Sequence, residues 1–159
     1  ARCTAEPLRL HADWLFARAR SRRLAVVLNL KRREEKEALQ RWGDIEQRLT
    51  AEKDKRTQLD TYAQEYRRQI TRPADQSVAA GQIHNSLEFI GQIETALAQQ
   101  DSQLKELEAL SQRARDAYLE IHHKADALES MIDKLEEEHK LATSRAEQRE
   151  ADEWANRRR

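Results

Sequence analysis

The chain has 159 residues, 29 basic against 29 acidic, with 36% charged residues and only 5% aromatics. Three glycines, two prolines and no apolar run of membrane-spanning length exclude a transmembrane protein, a disordered chain and a compact globular enzyme. Zero net charge also removes the simplest argument for nucleic-acid binding, and the lone Cys3 cannot form an internal disulfide. What remains is a solvated helical protein whose apolar residues form a stripe, at home by default in the cytosol.

Residues 1–21 read first as a disordered or artificial extension. They hold Cys3, Pro7 and the apolar triplet Trp14-Leu15-Phe16, followed by Arg22-Arg23. An amphipathic, membrane-touching piece is the other reading, and the apolar stretch is too short for a signal peptide.

Helix one is expected over about 22–70. Positions at alternating spacings of four and three read Leu24, Leu28, Lys31, Glu35, Ala38, Trp42, Ile45, Leu49, Glu52, Arg56, Leu59, Ala63, Tyr66 and Ile70, mostly apolar. A loop is expected over 71–82, where Pro73 cannot sit inside a helix and disfavours helical geometry at Arg72, and where Asp75, Ser77 and Gly81 supply turn and cap chemistry. Helix two follows over about 83–155. Its seam runs from Ile83 through Ile90, Ile93, Leu97, Leu104, Leu107, Tyr118, Ile121, Ala125, Leu128, Ile132 and Leu135 to Glu153 without a slip.

A seven-residue repeat held this long indicates a left-handed coiled coil. A short connection makes the two helices antiparallel neighbours. The fold class is therefore all-α: a long antiparallel two-helix coiled coil spanning residues 22–158, with helix two longer than helix one. Pairing Ile70 with Gln82 puts Leu24 opposite Leu128, so helix two, about 110 Å against about 70 Å, overhangs its partner. Ile132, Leu135, Ala142 and Ala146 would lie in that overhang. Residues 17–36 hold eight basic and two acidic side chains, and residues 128–153 hold nine acidic and four basic ones, which supports the antiparallel direction.

No residue set has the spacing of a catalytic, cofactor or metal site, so no enzymatic role is read. His122 and His123 point about 100° apart on a helix and cannot share one metal. His84 and Glu88 share a face, but two ligands do not close a site. His139 marks a weakened, wet part of the seam, or a pH-sensitive one. Near the loop, Tyr62, Tyr66 and Phe89 form an aromatic cluster that either locks the end of the hairpin or binds a partner. Tyr62 and Phe89 are not needed by the seam. The acidic run Leu135–His139 and the closing Arg157-Arg158-Arg159 are ordinary solvated charge, except that an unpartnered amphipathic helix end exposes apolar surface.

Three stretches, taken in order, resemble the FliJ family of the bacterial flagellar type III export apparatus: Leu59-Asp-Thr-Tyr-Ala-Gln-Glu-Tyr-Arg67, Phe89-Ile-Gly-Gln-Ile-Glu-Thr-Ala-Leu-Ala-Gln-Gln100 and Arg145-Ala-Glu-Gln-Arg-Glu-Ala-Asp-Glu153. The resemblance covers about residues 21–158 and not the amino-terminal extension. It implies a stalk-like coiled coil that binds the ring of the export ATPase FliI, with FliH, and the gate protein FlhA, and that helps escort substrate chaperones. It implies that Leu59, Tyr62, Tyr66, Phe89, Ile93 and Ala96 face the gate protein, with Gln100 where some members have His. It implies that the free-ended half, with Arg145, Glu147, Gln148, Asp152 and Glu153, enters the ATPase ring. The chain would then be a monomer when alone, peripheral to the inner membrane at the flagellar base. The nearest alternative is the equivalent stalk of an injectisome, and the more distant one is a self-associating coiled-coil scaffold.

Overall fold

The computed structural model describes residues 6–71 and 80–158, with the side chains of residue 16, residues 18–71 and residues 81–158. Two helices account for nearly all of it: α1, Glu6–Thr71, and α2, Ala80–Arg157. Among the described residues there is no strand. The fold class is the antiparallel two-helix coiled coil read from the heptads, with α2, at 78 residues, longer than α1, at 66.

The prolines bracket α1. Pro7 lies in its first turn, where a missing N–H leaves no bond unmade. At the other end α1 stops at Thr71, one residue before the position that Pro73 restricts. Arg68 and Arg157 sit in the last turns of α1 and α2, where a cation complements the helix dipole. α1 begins at Glu6 and not near residue 22, which corrects the expected boundary: residues 6–21 are helical here. Residues 1–5 lie outside the described residues, as does most of the expected loop, residues 72–79.

The chain divides into two units, the first made of residues 1–37 and 118–159 and the second of residues 38–117. The core of the second unit is the predicted seam: Ala38, Leu49, Ala63, Ile93, Leu104, Leu107 and Ser111 are all buried. Numbers rise along α1 as they fall along α2. Lys53 pairs with Glu108 (3.2 Å), Arg56 with Asp101 (2.8 Å) and Arg67 with Glu94. Glu52 meets Gln100 and Trp42 meets Ser111, within one residue of the predicted facing register. Exposed pairs of this kind contribute little stability, but they are incompatible with a parallel arrangement.

In the first unit Ala125 and Ile132 are buried, and Leu24, Leu28, Lys31, Glu35, Leu128 and Leu135 are half-buried. Ile132 and Leu135 therefore do not lie in an overhang, contrary to the sequence expectation. The physical reason is the extra length of α1: Phe16, Ala19, Arg20 and Arg23 line one groove with Leu135. The α2 seam opens to solvent at Ala142, and Ala146, Arg149 and Glu153 stay exposed after it.

Candidate partner-binding surfaces

In the second unit, Tyr62 and Tyr66 stand four residues apart on α1 and stack at 6.5 Å between ring centroids. Phe89 of α2 meets both edge-on, at 5.0 Å from Tyr66 and 6.4 Å from Tyr62. Ala63 between the tyrosines is fully buried. Its small side chain lets α2 approach closely enough for Phe89, one position off the seam at Ile90, to reach across. Edge-to-face pairs contribute about 0.5–1.5 kcal/mol beyond their burial, so the cluster packs as well as presents a surface. Tyr62 is half exposed, at 52%, while Leu59, Tyr66, Phe89 and Ala96 are half-buried. Ile93, only 6% exposed, is a core residue that supports this surface from beneath and cannot form its outer face. Leu87, not singled out from sequence, is exposed on the same stretch of α2, and Ile83, which the heptad placed first in the seam, is exposed as well because the seam is covered only from Ser86 onward.

Polar groups interrupt the seam at defined layers. In the second unit the Trp42 indole N–H donates to Ser111 Oγ (3.3 Å), and the Ser111 hydroxyl donates to Glu46. Gln100 donates to the Glu52 carboxylate (2.7 Å). Hydrogen bonds from Lys55 and then from Gln100 hold Glu52 below its ordinary titration range. The Arg56 guanidinium does the same for Asp101. In the first unit Glu35 occupies a seam position and receives Arg32 Nη1–H (2.8 Å) and His122 Nδ1 (2.5 Å). Both contacts, Arg32 first, hold its carboxyl below the ordinary 4.5. Arg32 also reaches Asp126 (2.9 Å) and Glu129 (2.5 Å), and His122 Nε2 lies 3.3 Å from Asp126. These layers act on register: an apolar seam tolerates slippage, whereas a misplaced charge loses its partners. His122, weighed from sequence only as a metal ligand, is part of this network. The only signal in the sequence was a glutamate at a seam position, since the predicted register set Ala117 and not His122 opposite Glu35. His84 and Glu88 are both exposed, and among the described residues no group of three or more His, Cys, Asp or Glu could hold a metal ion.

The end of α2 gives the first unit its other accessible surface. Arg145, Glu147, Gln148, Asp152 and Glu153 are all exposed. The Arg149 guanidinium donates to the Arg145 carbonyl (3.2 Å), and Arg157 lies 3.9 Å from Glu153. Leu141 and Trp154 are exposed among them, with Arg158 stacked 4.7 Å over the Trp154 ring. The sequence reading overlooked Trp154, which stands outside the seam one residue after its last position.

The described residues form an antiparallel coiled coil with polar layers in its seam. Residues 20–159 match the family described as Flagellar FliJ protein. The chain belongs to the flagellar FliJ family. No curated protein and no solved structure matches it. Membership makes it a coiled-coil protein of flagellar export, in a family that is not catalytic. The FliJ match begins at Arg20, so the aromatic cluster, the polar layers and the free end of α2 all lie inside it, whereas the first turns of α1 precede it.

Proposed function

We propose that this FliJ-family chain is the stalk-type coupling component of flagellar export. The free end of α2 contacts the ring of the export ATPase FliI, with FliH, and the Tyr62–Tyr66–Phe89 surface contacts the gate protein FlhA. The coil biases ring states and gate together and helps escort substrate chaperones. One observation carries this reading. The heptad seam of α2 continues past the point where it is covered, so that Ala142, Ala146, Arg149 and Glu153 present a helix-binding stripe to solvent. Coupling requires contacts that differ between ring states, which a charged amphipathic helix end supplies. No described helix is long and apolar enough to cross a membrane; in this reading the gate-protein contact is one attachment at the flagellar base.

The test is the ATP turnover of the cognate export ATPase across concentrations of the purified chain. Stimulation with tighter ring assembly supports the reading. No change and no co-elution sinks it, and a stable dimer of the chain alone would favour a scaffold. For the gate contact, Tyr62→Ala with Tyr66→Ala should keep helicity and ATPase stimulation and lower gate-protein affinity by tenfold or more, roughly the loss of one or two interface anchors. Unfolding of that variant would make the tyrosines packing residues only.

A further inference from the structure

In the first unit α1 carries a second face besides its seam. At about 100° per residue, Phe16, Arg20, Arg23, Val26, Val27 and Leu30 fall within an arc of roughly 120°, centred about a third of a turn away from Leu24, Leu28, Lys31 and Glu35. The apolar members of that arc are in solvent: Phe16 is 76% exposed, Val26 61%, Leu30 53% and Val27 41%. Phe16 borders the groove that it lines with Leu135 at the end of the seam, while Val26, Val27 and Leu30 stand outside the seam, and neither proposed partner contact uses any of the four.

The charge on this stretch has one sign. No acidic residue occurs between Trp14 and Arg33. Lys31 and Arg32 are neutralised by Glu34, Glu35, Asp126 and Glu129. Arg20, Arg22, Arg23 and Arg33 are exposed and make no ion pair among the described residues. A helix face that mixes exposed apolar side chains with unneutralised arginines has the chemistry of an anionic lipid interface. The apolar groups enter the headgroup–acyl boundary and the guanidiniums bind phosphate bidentately.

A third helix packed here as a coiled coil fits less well. Arg23 occupies the middle of the arc and Arg20 its edge toward the seam, so a coil centred on this face would bury the Arg23 guanidinium in its seam. At a lipid surface the same two side chains lay their stems along the apolar layer and keep their heads among the phosphates.

We propose that the Phe16–Arg33 face of α1 docks directly on an anionic membrane surface. The contact is independent of the gate protein and gives the chain a lipid attachment of its own.

The test is co-sedimentation of the full chain with vesicles of pure phosphatidylcholine and with vesicles in which about a third of the lipid is phosphatidylglycerol. Binding is expected only to the anionic vesicles and should weaken as salt is raised. Arg20→Gln with Arg23→Gln should weaken it by about 30-fold, from about a tenfold change per 1.4 kcal/mol and roughly 1 kcal/mol per basic residue at such a surface. Val26→Ser with Leu30→Ser, which keeps every charge, should weaken it by about tenfold or more. Leu141→Ser, an exposed position on α2 outside this face, should bind like the parent, and far-ultraviolet circular dichroism should show the same helix content in all four proteins. Absence of binding to the anionic vesicles overturns the proposal, as does equal binding to both kinds. Unchanged binding of the serine pair reduces the effect to diffuse charge and also overturns it. A solution dimer of the parent that both pairs of substitutions dissolve would show that a second copy covers the face instead.

Discussion

Replacing Ile132 by alanine separates two descriptions of the first unit. If α1 began near residue 22, Ile132 would lie on an uncovered helix end and its side chain would matter little. With α1 running from Glu6, Ile132 is only 8% exposed. The substitution removes three carbon groups, and at about 0.8 kcal/mol for each buried group the loss is about 2 kcal/mol. The void adds little to this, because a two-helix seam borders solvent and collapses or fills with water, so the cost stays at the low end of the usual range for such substitutions. Near the transition midpoint about 2 kcal/mol lowers Tm by roughly 4–8 °C for a chain of this size. The assay is urea unfolding followed by circular dichroism at 222 nm, with Met131→Ala as the neighbouring control. Met131 is 46% exposed, so its truncation should cost about a quarter to a half as much. The midpoint for Ile132→Ala should fall with an unchanged slope. A cost under about 0.5 kcal/mol, equal to that of Met131→Ala, would refute the burial of Ile132 between the two helices.

Three further outcomes follow from the same geometry. Gly43 and Gly91 lie inside helices with nothing within 4 Å of an added Cβ, so Gly43→Ala and Gly91→Ala should each stabilise the chain by about 0.5–1 kcal/mol in the same unfolding assay, and destabilisation would point to a close approach that the structure does not contain. The Glu35 carboxyl titrates below its ordinary 4.5 in the folded chain, so its contribution is present above that value and is lost as the pH falls through the folded pKa. Glu35→Gln should therefore be less stable than the parent near neutrality and converge with it in acid, and a gap independent of pH would remove Glu35 from the network. Ala142→Glu with Ala146→Glu, both at exposed positions, should leave Tm nearly unchanged while weakening stimulation of the export ATPase, and a large loss of helix stability would show that this end of the seam is covered in solution.

The sequence determined by itself whatever is local or periodic. Helix over about 22–70 follows from helix-forming composition that ends before Pro73, whereas the helical start at Glu6 was not read from sequence. The seam follows from the heptad. Every predicted α1 position from Leu24 to Ile70 is buried or half-buried, and so is every predicted α2 position from Ser86 to His139. Antiparallel direction and register came from the connection length and are fixed in the structure by Glu52 with Gln100 and Trp42 with Ser111. The cluster of Tyr62, Tyr66 and Phe89 was legible because two tyrosines four apart share a helix face and Phe89 falls beside the seam. Tertiary structure alone decided the rest. Periodicity cannot tell where an amphipathic pattern stops finding a partner, so Ile132 was misplaced until α1 supplied its cover. Spacing on one helix cannot show what stands across a seam, so the bond from His122 to Glu35 and the burial of Ile93 emerged only with both helices in place. The exposure of Phe16, Val26, Val27 and Leu30 has the same cause: an apolar side chain is core or surface according to what the other helix covers, and each residue's neighbours in sequence do not contain that information.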